Sequence, residues 1–225
     1  MAKALDLEEQ EQLDQIKHFW KKYGNLISWV LIVVLGSYAS WNGYKYWQRD
    51  QAAKAAVLFD EVERAVTAGD VVRVERSFAD MKDKFGGTQY AHQAALLAAK
   101  ALLVKDKTEA ARAALKWVAE VAPDPAYRDI ARLRLSALLL DAGSHDEALA
   151  QLTAPFTPAM AGLSADLRGD VLHAKGQKTE AAAAYQTAWQ QLVDSADYRR
   201  LVEAKLNAMG VEPQTASTPS TGNTK

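Results

Sequence analysis

Between Lys22 and Lys45 the chain carries no charged residue. The uncharged run, Tyr23 to Tyr44, is 22 residues long. As an α-helix at ~1.5 Å per residue it spans about 33 Å, and the hydrocarbon core of a bilayer is about 30 Å thick. Its centre reads Leu-Ile-Ser-Trp-Val-Leu-Ile-Val-Val-Leu from Leu26 to Leu35. Aromatic rings cluster at both borders: Phe19, Trp20 and Tyr23 before it, Trp41, Tyr44, Tyr46 and Trp47 after it. Lys17, Lys21, Lys22, Lys45 and Arg49 bracket the whole. Rings with one polar end favour the headgroup zone, so residues 23–44 are expected to form one transmembrane helix in contact with lipid. A buried soluble helix would not explain aromatics and bases at both borders. A cleaved signal peptide is the other alternative, since Ser37-Tyr38-Ala39 is a small-x-small pattern behind an apolar stretch. Against it, the preceding segment is long and carries five acids (Asp6, Glu8, Glu9, Glu11, Asp14) against four lysines. The bases flanking the span are balanced, so charge alone does not orient it.

The remainder, residues 45–225, holds as many bases as acids. A neutral balance argues against nucleic acid as a partner, because phosphate binding needs a clustered positive field. The chain has no cysteine, which removes disulfides, thiolate nucleophiles and thiolate zinc sites. No Val/Ile/Thr-rich alternating run is bounded by turns. Apolar residues instead recur at helical spacing, punctuated at Gly69-Asp70, Gly86-Gly87, Pro123, Pro125, Gly143, Pro155, Pro158, Gly176 and Gly210. An all-α body is expected over 45–210. Residues 211–225, rich in Ser, Thr and Pro, are expected to form a disordered tail.

Internal repetition is visible. Gly143-Ser-His-Asp-Glu-Ala148 and Gly176-Gln-Lys-Thr-Glu-Ala181 match at a shift of 33. The same shift pairs Leu139 with Leu172, Ser136 with Gly169 and Leu152 with Tyr185. Upstream, Lys105-Asp-Lys-Thr-Glu-Ala110 aligns with Gly143–Ala148 at a shift of 38. The unit is helix, tight turn, helix, with small residues where two helices cross. Gly143 and Gly176 suit a turn of positive φ, Ala148 and Ala181 admit close approach, and Tyr185 fills the groove between the two helices. A period near 34 with these residues resembles the tetratricopeptide repeat. One hairpin cannot bury its own face, so neighbours must stack. The competing reading is a generic helical bundle.

A short N-terminus, one anchor ending in Tyr44-Lys45-Tyr46-Trp47, and a degenerate repeat body containing Ala165-Asp-Leu-Arg-Gly169 and Lys175-Gly176 together resemble the YfgM family over about residues 12–208. That family comprises ancillary subunits of the SecYEG translocon. The resemblance implies residence in the bacterial inner membrane, with residues 1–22 cytoplasmic and the repeat domain periplasmic. It implies association with SecYEG, with a PpiD-like periplasmic chaperone and with exported polypeptides. An alternative of another class is a membrane-tethered adaptor that sequesters an envelope-stress regulator.

Catalysis finds little support. The four histidines (18, 92, 145, 173) show no metal-ligand spacing, and no phosphate-cradling glycine loop or nucleophile elbow is present. No enzyme activity, metal or cofactor is expected. The candidate functional residues are of two kinds. Gly36, Ala39, Ser40 and Gly43 put small residues on adjacent turns of the anchor, as close helix packing in lipid requires. By analogy with tetratricopeptide proteins, the first helix of each hairpin lines a partner groove, here through Leu102, Ile130, Leu133, Ala137, Leu140, Asp166, Asp170 and His173. Such a groove suits an extended or helical apolar segment; the alternative is that these residues are core, or are covered by the helix after the anchor.

Overall fold

The structure is a computed structural model that describes residues 7–193 and 195–214, with side chains from residue 11 onward. Among the described residues there are nine helices and no strand: α1 Leu7–Thr67, α2 Val71–Phe85, α3 Gln89–Leu103, α4 Thr108–Val121, α5 Pro125–Asp141, α6 His145–Gln151, α7 Pro158–Ala174, α8 Lys178–Gln191 and α9 Ala196–Ala208. The chain divides into two units, residues 1–53 and residues 54–225. The first unit holds α1 up to Ala53, and the second holds the remainder of α1 with α2–α9.

The second unit is a series of antiparallel hairpins: the end of α1 with α2, then α3/α4, α5/α6 and α7/α8, followed by α9. The residues that start and stop these helices are conventional. Asp70 and Thr88 accept the backbone N–H of Arg73 and Ala91 at the starts of α2 and α3. Asp124 caps α5 just ahead of Pro125, and Pro158 opens α7. A proline costs nothing at a helix start, where its missing N–H would be unpaired anyway.

The four hairpin tips and the end of α9 close the same way. Gly69, Asp106, Gly143, Gly176 and Gly210 have φ of 66°, 58°, 74°, 79° and 75°. The residue after each donates its N–H five residues back: Asp70 to Ala65, Lys107 to Leu102, Ser144 to Leu139, Gln177 to Leu172 and Val211 to Leu206, at 2.8–3.1 Å. This left-handed closure satisfies helix-end carbonyls and ends the helix sharply. It also sets the register of the repeat. The true counterpart of Gly143 upstream is Asp106, one residue beyond the Lys105 that the sequence alignment put there. A short Asp side chain tolerates the left-handed region better than most residues, so the turn survives without glycine. Gly69 adds a further hairpin from the stretch where the sequence repeat was faint.

The core is built on small residues. Ala91, Ala94, Ala95, Ala98, Ala99, Ala111 and Ala114 are all buried, so α3 and α4 approach closely. One cluster runs from Ala65 through α3–α5 to Val171, and a second joins α7, α8 and α9 through Leu172, Tyr185, Leu192, Val202 and Leu206. A third places Ala55 and Val62 of α1 against Met81, Ala91 and Ala94. Between α6 and α7 the chain leaves helix, and Arg132 holds it by donating to the carbonyls of Gln151, Ala154 and Pro155 while its guanidinium covers the Phe156 ring at 3.9 Å. After α9, Gln186 grips both the N–H and the carbonyl of Gln214. Residues 211–214 are thus seated on α8 rather than unanchored, because Val211 also packs on the second cluster. The rest of the tail, 215–225, lies outside the described residues, as do residues 1–6 of the N-terminal segment.

Candidate functional site

The apolar run of α1 is open along its length. Trp29 to Leu35 are all more than half exposed, as are Tyr38 and Trp41. By length and composition α1 is long and apolar enough to cross a membrane, and almost none of its most apolar window is buried. At its two borders, ammonium groups fold over rings: Lys22 over Tyr23 and Lys45 over Trp41, at 5.4 and 5.1 Å from the centroids. Within the run, Ser40 Oγ donates to the Gly36 carbonyl at 2.8 Å, which satisfies the hydroxyl without a partner helix. A Cβ added at Gly36 or Gly43 would meet nothing within 4 Å. With exposed Ala39 and Ser40, these positions form a shallow strip of unoccupied helix surface.

The repeat residues meet inside the last two hairpins. Ala148 and Ala181 are fully buried, at the start of the second helix of each. Gly169 faces Tyr185 so tightly that a Cβ there would lie 2.4 Å from the ring. Gly162 does the same for Leu192, where a Cβ would fall 2.7 Å from Cγ. Both glycines are therefore contact points between α7 and α8 rather than turn residues.

The eight groove residues have different fates. Leu102 is buried in the first cluster. Ile130, Leu133, Ala137 and Leu140 are half-buried along α5. The end of α1 packs on α2 and α3: Ala55 and Val62 join a cluster that includes none of these four, whereas Ala65 joins the first cluster, against which Ile130, Leu133 and Leu140 also pack. His173 is exposed. Asp166 and Asp170 are engaged from within the chain: Lys205 of α9 donates to both carboxylates at 2.7–2.9 Å. Tyr198 donates to Asp166 and Tyr185 to Asp170, each at 2.8 Å. Burial acts to lower the Lys205 pKa, but its hydrogen bonds and charge contacts with the two aspartates more than reverse this, and the net shift is upward. Burial and the same carboxylates hold both tyrosines well above the ordinary phenol range, so they stay neutral donors. Lys205 and Tyr198 were not singled out in the sequence. Each lies more than thirty residues from the aspartates it bonds, and no local pattern announces the pairing.

His92, on the inner face of α3, is fully buried between the rings of Trp117 and Tyr127, with centroids 5.5 and 6.2 Å away. Neither ring nitrogen has a hydrogen-bond partner. Burial lowers its pKa, against weaker upward pulls from the Gly86 backbone and Asp124. Among the described residues no three of His, Asp and Glu stand close enough together to hold a metal ion.

These features define a class: stacked helical hairpins of tetratricopeptide type that follow one long apolar helix in the chain. A family described as tetratricopeptide repeat-like domain matches residues 17–211. The chain belongs to that family, and its relatives are the ancillary subunits to which the YfgM resemblance pointed. The "Ancillary SecYEG translocon subunit" of Neisseria gonorrhoeae is 29% identical over 92% of this chain and 99% of its own. Proteins of the same name from Haemophilus influenzae and Escherichia coli are 29% and 25% identical, over 91% and 90% of this chain and 98% and 97% of theirs. No solved structure matches the chain.

Proposed function

We propose that this chain is an ancillary subunit of a SecYEG translocon that presents a protein-binding repeat module to exported polypeptides. The observation that carries this reading is end-to-end similarity to proteins of that name, with both the apolar helix and the repeats inside the aligned length. In this reading residues 23–44 cross the bacterial inner membrane, the N-terminus is cytoplasmic, and residues 45–210 form the periplasmic domain. Long domains translocate regardless of flanking charge, which accommodates the balanced bases at the two borders. The absence of cysteine suits an oxidising compartment.

The mechanism is local concentration. Anchoring the module beside the exit channel raises its effective concentration for emerging chains and for a PpiD-like chaperone, so each contact can be weak. The open strip of Gly36, Ala39, Ser40 and Gly43 is suited to packing against a translocon helix. The half-buried α5 residues Ile130, Leu133, Ala137 and Leu140 offer an apolar face for a client. The module binds; it does not catalyse.

A photoreactive residue at Leu133 tests the client face. In cells it should capture many secreted chains together with translocon subunits; capture of one stoichiometric regulator instead would replace this reading with the adaptor. Gly36→Leu with Gly43→Leu should reduce recovery of SecYEG on the tagged protein, and full recovery would remove the packing strip. Protease added to spheroplasts should cut the repeat domain, whereas inverted vesicles should protect it.

A further inference from the structure

The hairpin tips are joined differently along the stack. At the last seam, Lys175, which stands one residue before the left-handed Gly176, pairs with Asp146, three residues after the left-handed Gly143. The same register at the first seam selects Lys105, one residue before Asp106, and Val72, three residues after Gly69. The lysine is kept and the carboxylate is replaced by a valine that is 74% exposed. Lys105 Nζ instead lies over the bare backbone of Gly69, 3.8 Å from where a Cβ would stand.

Beneath this lysine the seam opens into a pocket of about 270 Å³. Val66, Val71, Val74, Leu97 and Leu102 supply its apolar wall, and Lys100 and Lys105 line it as well. Val104, 73% exposed, stands at its edge. Neither lysine makes an ion pair with any described residue. The nearest acid in sequence on the facing tip, Asp70, is occupied in capping α2 through the Arg73 N–H.

We propose that this first seam is a docking site for an acidic, apolar segment of a partner protein. An apolar side chain of the segment enters the pocket, and a neighbouring carboxylate takes on Lys105 the place that Asp146 takes on Lys175. Charge complementarity selects an acidic segment, since both charged side chains lining the pocket are lysines that pair with no acid among the described residues. The volume falls just below the ~300–1,000 Å³ typical of small-molecule sites, which suits a side-chain anchor better than a long acyl chain. An apolar anchor in a water-excluding pocket with a charge at its rim is a usual arrangement for a binding hot spot. None of its lining residues belongs to residues 23–44 or to α5, and it does not depend on the translocon reading.

The full chain in mild detergent should bind a fluorescein-labelled peptide of leucines flanked by glutamates, read by anisotropy. Affinity should fall about fivefold for the same peptide with glutamines, and about tenfold when salt is raised from 50 mM to 500 mM. Lys105→Glu should weaken binding about tenfold, and Lys100→Glu should act in the same direction. Val72→Asp is the decisive variant, because it restores the missing carboxylate within the chain and blocks the site. The position is exposed, so the thermal midpoint should stay at the parent's while peptide affinity falls about tenfold; Val72→Ala should change neither. Equal peptide binding by parent and Val72→Asp overturns the proposal, as does no binding by the parent. Lysine-dependent capture of phosphatidylglycerol vesicles without peptide binding also overturns it, in favour of a lipid surface.

Discussion

At the scale of single residues, two contacts decide how the last hairpin holds together. Gly169 lets the Tyr185 ring lie against α7 while its hydroxyl is fixed by Asp170. The ring is held at both ends, so a methyl at 169 cannot be absorbed by a rotation. Gly169→Ala should destabilise by about 1–3 kcal/mol, a fall of about 3–10 °C in thermal midpoint for a domain of this size. Lys205 is the hub of the second contact, and Asp166 beneath it is 2% exposed. Lys205→Met leaves that carboxylate uncompensated and should cost about 3 kcal/mol. The raised Lys205 pKa gives the contribution a definite pH dependence: it is whole below the ordinary lysine value of 10.5 and fades as pH rises through the higher folded value. His92 works in the opposite direction. Its folded pKa is lowered, so below about 6.5 the unfolded chain binds the proton that the buried ring refuses. Stability should therefore fall as pH drops from 7 towards 5, by at most about 1.4 kcal/mol per pH unit. His92→Phe should flatten that slope in denaturant titrations; an unchanged slope would assign the effect to other groups.

At the scale of the element, the repeated unit is the tip. Four hairpin tips and the end of α9 share one left-handed residue and one five-residue back-bond, and at the tips this closure sets where each second helix starts. Opposite substitutions should therefore have opposite signs. Gly176→Ala forces a Cβ into the left-handed region and should cost about 1–2 kcal/mol. Asp106→Gly relieves the same strain and should gain up to about 1 kcal/mol, offset in part by glycine's greater unfolded-state freedom. Thermal melts of the two variants beside the parent test this. The glycine tips were legible in the sequence because glycine is the usual residue there. The Asp106 tip was read one residue out of register, since an aspartate at positive φ looks like any other surface acid. Gly169 read only as a small repeat residue and Gly162 was not singled out; their close contacts with Tyr185 and Leu192 become visible once α7 and α8 are docked.

At the scale of the whole molecule, a stack of hairpins needs a polar cap on its last exposed face. Here α9 provides it, burying Val202 and Leu206 against α8 and delivering Lys205 to Asp166 and Asp170. A chain ending at Gln191 should uncover Leu172, Tyr185 and the aspartate pair and self-associate. Size-exclusion chromatography in detergent reads this directly, and a monodisperse truncated chain at the parent's midpoint would show that α9 is not needed as a cap.

What the residues determined alone was periodic and local. An uncharged apolar run has a length, a helical face has a spacing, and a tight turn has a preferred residue; each follows from chemistry within a few neighbours. The helical class, the apolar helix and the hairpin period were therefore readable without coordinates. What only the packed chain decided was which side chains meet across thirty or more residues. Asp166 and Asp170 read as a partner-facing pair until α9 supplied Lys205. The first seam kept its lysine without an acid, a mismatch visible only once the tips are in register. Long-range pairing is set by how helices dock, and docking depends on shape summed over many contacts rather than on any short string of residues.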